Sequence, residues 1–240
     1  TSGLLIKDLL LAAGHTVVGQ TIVRDEPAPG PGEVRVRVAM SGVNPTDWKS
    51  RAGRAPGEKL AFPEIVPNQD GAGTIDTVGE GVAAERVGER VWLWEAAWQR
   101  ANGTAQEYVV LPERQAVALP DDASFDLGAS LGIPALTAHR CLTVADAGPR
   151  RLEPGALAGR TVLVAGGAGA VGHAAIQLAR WSGALVIATV SSDEKGTLGR
   201  AAGADHVVDY TSEGATDEIR GASPGGVDIV VEVAPAANAR

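Results

Sequence analysis

Apolar and polar residues alternate through much of the first half of the chain, and the period lengthens after residue 124. In 34–39 (VRVRVA) Val34, Val36 and Val38 share one face while Arg35 and Arg37 take the other, the period-two pattern of a half-buried strand. Runs at 73–78, 86–94 and 107–111 read the same way and are separated by glycine, proline and acidic turns. Residues 1–124 therefore predict a Greek-key or barrel-like β unit.

From 124 onward helix and strand patterns take turns. Ser124 is placed to cap a helix running through LGASLG until Pro134 interrupts it. Residues 146–160 (DAGPRRLEPGALAGR), rich in glycine, proline and charge, read as a linker. Strand 161–165, helix 170–181, strand 185–190, helix 193–202, strand 206–208, helix 212–221 and strand 227–233 then follow. This βαβαβαβ run predicts a parallel, doubly wound sheet over 125–240, an α/β fold. VDIVVEV at 227–233 has the continuous apolar character of an interior strand, which needs cover on both sides. Because such sheets usually have six strands, the expectation is a domain truncated after its fourth and a chain only partly represented here.

Composition narrows the classes. With 240 residues, 45% hydrophobic and 21% charged, the chain is an ordinary folding sequence, and disorder, collagen and coiled coil are excluded. A net charge of −8 supplies no basic field for nucleic acid or an anionic membrane. The single cysteine, Cys141, can make no intrachain disulfide, and a reducing, cytoplasmic setting is expected. The apolar patch 9–13 (LLLAA) is too short for a secretory core, and no basic leader precedes it. The uncharged stretch 161–179 approaches membrane-spanning length, but its four glycines, His173 and Gln177 read instead as strand, turn and helix.

That stretch holds the strongest motif. Gly167, Gly169 and Gly172, with Ala170 and Val171 between the last two, satisfy GxGxxG between the apolar strand TVLVA and the helix GHAAIQLAR. The first glycine permits a tight turn, the second lets backbone N–H groups approach a pyrophosphate, and the third lets helix and strand pack closely. A site preferring NAD usually places an acidic residue at the end of the second strand. Here Val190 is followed by Ser191, Ser192, Asp193, Glu194 and Lys195, so hydroxyls and an ammonium stand where a 2′-phosphate would sit, and NADPH is the expected cofactor. Ser192 is equally an N-cap, with Asp193 and Glu194 as first-turn partners of the helix dipole and Lys195 a solvated charge.

Several stretches now align in order: SGVNPTDWKSR at 41–51, PNQDGAGTIDTVGEGV at 67–82, VGERV at 87–91, ASLGIPALTAH at 129–139, and VLVAGGAGAVGHAAIQLAR through GADHVVDY at 162–210. Together they resemble the medium-chain dehydrogenase/reductase superfamily, and within it the zinc-free NADPH quinone oxidoreductase, or zeta-crystallin-like, branch. The resemblance implies a GroES-like β domain joined to a Rossmann NADP(H)-binding domain, with the active site in the cleft and a homodimer for the full-length chain. The first 25 or so residues depart from the family's opening strand. Zinc alcohol dehydrogenases of the superfamily carry a cysteine where this chain has Asn44, a histidine where it has Gln69 and another cysteine near Ile133, so no metal site is expected. By the same resemblance Thr137 lies near the nicotinamide, Asn44 faces nicotinamide and substrate, and Ser191, Lys195 and Tyr210 surround the 2′-phosphate. Tyr210 is also readable as a cap on the sheet end, and Asn44, followed by Pro45, as a helix N-cap.

Gly128, Ala129, Ser130, Leu131 and Gly132 spell GxSxG, but a nucleophile elbow needs a strand before its serine, and this serine lies within a helical segment. The expected chemistry is hydride delivery from NADPH to an electron-poor acceptor, a quinone. An α,β-unsaturated carbonyl is the second acceptor class, and a non-catalytic NADPH-binding protein the rival from another class. Trp92 and Trp94 alternate on one strand, with Trp98 beyond, and that spacing predicts core. Trp48, just after Asn44, is better placed for stacking on a flat acceptor in the cleft.

Overall fold

The computed structural model describes residues 23–52, 62–145 and 148–235. The apolar patch at 9–13, the departure in the first residues and the last five positions lie outside them. Among the described residues no helix is long and apolar enough to cross a membrane.

The first unit is an antiparallel sheet of β1 (Glu33–Gly42), β2 (Asp70–Val78), β3 (Arg90–Leu93), β4 (Tyr108–Pro112) and β5 (Ala116–Ala118), ordered β4-β1-β2-β3-β5. A short helix, α1 (Pro45–Ala52), follows β1. The return of β4 beside β1 is the Greek-key connection expected from the alternating pattern. Val36 lies opposite Ile75 on one side and Val109 on the other, and these pack with Val34, Val91, Leu93 and Leu111 into one buried cluster. On the outer face the Arg35 guanidinium forks onto Asp76 at 2.8 to 3.2 Å and lies 5.0 Å from the centre of the Tyr108 ring.

The tryptophans are not in that core. On β3 the period-two pattern buries Val91 and Leu93, which turns Trp92 to the opposite face, while the Trp94 indole donates to the Arg114 carbonyl at 3.3 Å and Trp98 is exposed. The strand is also shorter than the apolar run, because residues Ala84–Arg86 coil as a 3₁₀ turn and Gly88 adopts φ +91°, outside the strand region.

The second unit is a parallel sheet of β6 (Thr161–Val164), β7 (Leu185–Val190), β8 (His206–Asp209) and β9 (Ile229–Val231), ordered β8-β7-β6-β9. Its crossovers are α3 (Ala170–Trp181), α4 (Asp193–Ala202) and α5 (Ala215–Ala222). Five consecutive residues of β7 are buried, as a strand covered on both faces requires. β9 is shorter than the expected 227–233, since β6 offers it a ladder only as far as the bond from Ala165 N–H to the Val231 carbonyl at 3.0 Å. Along it burial alternates: Ile229 and Val231 are buried, whereas Val230 is exposed. α5 starts later than expected because Asp209 turns the chain back, its Oδ1 accepting from the Thr211 N–H at 2.9 Å.

One helix serves both sheets. α2 (Phe125–Thr143) packs on β1, β2 and β3 on one side and on α3 and β9 on the other. Ser124 caps it, accepting from the Leu127 N–H at 3.1 Å. Ahead of it Arg90 pins the entering chain, donating to the carbonyls of Pro120, Asp121 and Ala123 at 2.6 to 2.9 Å with the Phe125 ring 4.5 Å away. Contrary to the sequence expectation, α2 continues through Pro134. Proline removes one donor and crowds the carbonyl four residues back, yet packing on two sheets holds the flanking turns in helical form.

The GxSxG letters have a packing meaning. Gly128 and Gly132, four apart, lie on one face of α2, where added Cβ atoms would sit 2.9 Å from the Ala72 Cβ and 2.1 Å from Asp70 Oδ1. Ser130 is exposed and donates to the Leu127 carbonyl at 2.7 Å. From the other side, a Cβ on Gly42 would meet the Ala129 carbonyl oxygen at 2.2 Å. Gly42→Ala must therefore lift α2 from the sheet and should destabilise the fold by about 1–3 kcal/mol. A lower urea midpoint at unchanged slope is the expected result, and wild-type stability would show that the approach is not this close.

Candidate functional site

Asn44 lies just after β1 and immediately before α1. Its backbone N–H donates to Asp47 Oδ2 at 2.7 Å, and the Asp47 N–H donates back to the Asn44 carbonyl at 3.0 Å. Asp47 thus closes the start of the helix from its third position, in the manner of a capping box. The Asn44 side chain goes elsewhere: Nδ2 donates to Asp70 Oδ2 at 2.7 Å.

Asp70, the first residue of β2, is fully buried. The same Oδ2 also accepts the backbone N–H of Ile133 at 2.7 Å. In a regular helix that N–H would serve the Ala129 carbonyl, and the next residue, Pro134, has no N–H to offer. Oδ1 lies against Gly132 and has no hydrogen-bond partner among the described residues. Burial pushes the Asp70 carboxyl up to about 6, further raised by the negative Asp47 and Glu95 and opposed by the bonds from Ile133 and Asn44. Burial raises Asp47 as well, against the backbone bonds from Asn44 and Gln69. Thr104 Oγ1 donates to the Asp70 carbonyl at 2.5 Å, Ser41 and Thr104 share a bond of 2.8 Å, and Asn68 Nδ2 donates to Ser41 at 2.9 Å.

Thr137 lies one turn beyond Ile133 on α2 and is half-buried. Trp48 takes no part in the hydrogen-bonded cluster. Its ring is about half exposed, with the Lys49 ammonium 5.6 Å from its centre. Gln69 uses Oε1 to accept the Ala97 N–H at 3.2 Å.

At the carboxyl edge of the parallel sheet the glycines divide their work differently from the motif's usual account. The left-handed residue of the turn is Gly166, at φ +67°, one position before the motif. Gly167 is required by space, since a Cβ there would lie 2.8 Å from the Ala188 Cβ and 3.0 Å from Ile176. Gly172 lies under the turn, where a Cβ would meet the Gly166 carbonyl oxygen at 2.3 Å. Gly169 is the N-cap of α3 and offers no side chain to it, so the first-turn N–H groups of Ala170, Val171 and Gly172 are left for an anion, with the positive end of the helix behind them. This cradle fits a pyrophosphate.

The other residues expected at a nucleotide lie at the ends of the next two strands. The turn is tied to β7 by Gly167 N–H to the Thr189 carbonyl at 2.9 Å. Just past β7, Lys195 Nζ donates to Ser191 Oγ at 2.8 Å, while the Ser192 hydroxyl caps α4 by accepting from the Lys195 N–H. The N-cap expected at Ser192 is in place. Tyr210, 55% exposed, emerges next to them because its N–H bonds the Val190 carbonyl at 3.0 Å. Cavities of about 410 Å³ by Arg160 and Arg180 and about 300 Å³ by Trp98 and Arg100 lie away from all these residues.

A Greek-key β unit and a parallel sheet with a nucleotide-type glycine turn, joined by one shared helix, define a two-domain dinucleotide fold. Comparison with known proteins is specific. The family model for the alcohol dehydrogenase GroES-like domain matches residues 30–121, and that for the zinc-binding dehydrogenase domain matches 170–239. A rat synaptic vesicle membrane protein VAT-1 homolog is 35% identical over 206 residues, covering 86% of this chain and 47% of that protein. Rat quinone oxidoreductase is 35% identical over 208 residues, covering 86% and 59%. Among solved structures, an NAD-dependent alcohol dehydrogenase superposes with TM-score 0.75 at 33% identity, covering 87% of this chain and 65% of that one. A quinone oxidoreductase from Thermus thermophilus, known also in complex with NADPH, gives 0.69 at 29%, covering 89% and 62%. The chain belongs to the medium-chain dehydrogenase/reductase superfamily, in its quinone oxidoreductase branch. It spans about half the length of the curated relatives it matches.

The sequence reading passed over Asp70 and Gly166. Asp70 stood in the quoted NQDGAG stretch, but nothing local marks an aspartate as buried. Its raised carboxyl sets a pH dependence. Between the ordinary 3.8 and about 6 the folded chain keeps a proton that the unfolded chain has lost. The stability from this group is complete below pH 4 and is lost as pH rises through 6. Asp70→Asn should remove that slope, so its melting temperature relative to wild type should climb between pH 4 and 7. A constant offset across that range would contradict the raised value.

Proposed function

We propose that this chain binds NADPH at the glycine turn and transfers hydride to a quinone without a metal ion. The observation that carries the reading is the uncapped N-terminus of α3 above the glycine turn, with the Lys195–Ser191 pair at the adjoining end of β7. The nicotinamide, when bound, supplies the hydride. The chain's own residues bind and orient. The first-turn N–H groups of Ala170, Val171 and Gly172 hold the pyrophosphate, and the ammonium of Lys195, the hydroxyl of Ser191 and the exposed Tyr210 receive the 2′-phosphate. Asn44 and Thr137 flank the reacting atoms, and Trp48 offers a flat apolar face at the cleft. By the resemblance, zinc alcohol dehydrogenases ligate at the positions of Asn44 and Gln69 and near Ile133, and the first two here already spend side-chain atoms on Asp70 and Ala97. The kinship with quinone oxidoreductases, one of them known with NADPH, supports the acceptor and the cofactor.

The test is a titration with NADPH and NADH followed by nicotinamide fluorescence, then turnover of a 1,4-benzoquinone. Tighter NADPH binding and quinone reduction are expected. Reduction of an enone across C=C with no quinone turnover would replace the acceptor class, and binding without turnover of either would make the chain a non-catalytic NADPH binder. Lys195→Ala should weaken NADPH by about 1–3 kcal/mol and leave NADH nearly unchanged. Equal losses for both cofactors would remove the 2′-phosphate role.

A further inference from the structure

We propose that Asp70 is a positioning residue for the reaction, tying the Asn44 carboxamide of the β unit to the turn of α2 that leads to Thr137. The inference rests on the reading above, in which Asn44 and Thr137 flank the reacting atoms. Asp70 touches neither cofactor nor acceptor in that reading, since it is fully buried. It acts through the two groups it holds.

Oδ2 receives donors from two elements remote in sequence, Asn44 Nδ2 and the Ile133 N–H, each at 2.7 Å. A carboxamide can flip end for end, and the Asp70 carboxylate forbids it: the amide nitrogen must face Oδ2, which sets the carbonyl oxygen on the opposite side of the group. The Ile133 N–H, one residue before Pro134 in α2, would lose a charge-assisted partner without the same oxygen. A single atom therefore sets both the orientation of Asn44 and the distance between β1 and the turn before Thr137. Gly42 and Gly132 supply the room for this approach. Stability is a poor explanation for the carboxylate. Well-packed apolar groups serve a buried site at least as well as a charge, and Oδ1 has no hydrogen-bond partner among the described residues.

The experiment compares Asp70→Ala, Asp70→Asn, Asn44→Ala and the Asp70→Ala/Asn44→Ala double variant in the full chain. Asp70→Ala should lower kcat for a 1,4-benzoquinone roughly 10- to 100-fold, the cost of losing alignment, while NADPH affinity changes by less than about twofold. Asp70→Asn, whose carbonyl can accept both donors, should recover most of the rate. Losses from Asp70→Ala and Asn44→Ala should not add in the double variant. A folded Asp70→Ala with wild-type kcat, equal losses of kcat and NADPH affinity, or additive losses would each overturn the assignment.

A second arm needs no turnover and no alanine variant. In ¹⁵N spectra of the wild type, the Asn44 side-chain amide and the Ile133 backbone amide should titrate together near the Asp70 midpoint of about 6, with Asp47 on α1 and Glu95 after β3 the acidic groups that bear on it. Both responses should vanish in Asp70→Asn. Independent titrations would break the bridge whatever the enzyme does. A shared titration in a wild type that turns over no acceptor would remove the function reading and the catalytic role with it, leaving the bridge standing.

Discussion

The buried carboxylate of Asp70 is the constraint around which the β unit and its neighbour are arranged. A negative group without water must be met by donors, and the fold brings two of them to one oxygen from the loop after β1 and from the middle of α2. That requires the helix to lie unusually close to the sheet. The close approach in turn requires glycine at 42, 128 and 132, where a Cβ would strike the Ala129 carbonyl, the Ala72 side chain and the Asp70 carboxylate respectively. The helix takes part in the same solution without breaking, since the N–H that meets Asp70 lies one residue before Pro134 in a helix that continues past it.

The same helix continues into the second unit and packs on α3 and β9. Thr137 therefore lies on an element that packs against both units. On the nucleotide side the arrangement follows from strand geometry. Parallel strands place all their carboxyl ends on one edge, so the glycine turn after β6, the Ser191–Lys195 pair after β7 and Tyr210 after β8 converge although they are spread over more than forty positions.

Much of this was legible in the chain. Period-two alternation located β1, the βα alternation predicted the parallel sheet, and Ser124 and Ser192 marked helix starts that their side chains do cap. The misreadings share a cause. Pro134 ended the expected helix and the tryptophans of β3 were expected in the core, but α2 is held on both sides by sheets, and the phase of β3 is decided by Val91 and Leu93. Each is a case where neighbours outside the local window decide the outcome.

The sequence by itself determined which segments are strands and helices, the glycine turn with its fitting helix, and the kinship that follows from ordered motifs, because these depend on local periodicity and on residue types at short spacing. Tertiary structure alone decided that the left-handed glycine is Gly166 rather than Gly167, that GxSxG is a packing face, and that Asn44 is oriented by a carboxylate 26 residues away. Burial, desolvation and hydrogen-bond partnership belong to the folded arrangement of distant residues, and no short stretch of sequence contains them.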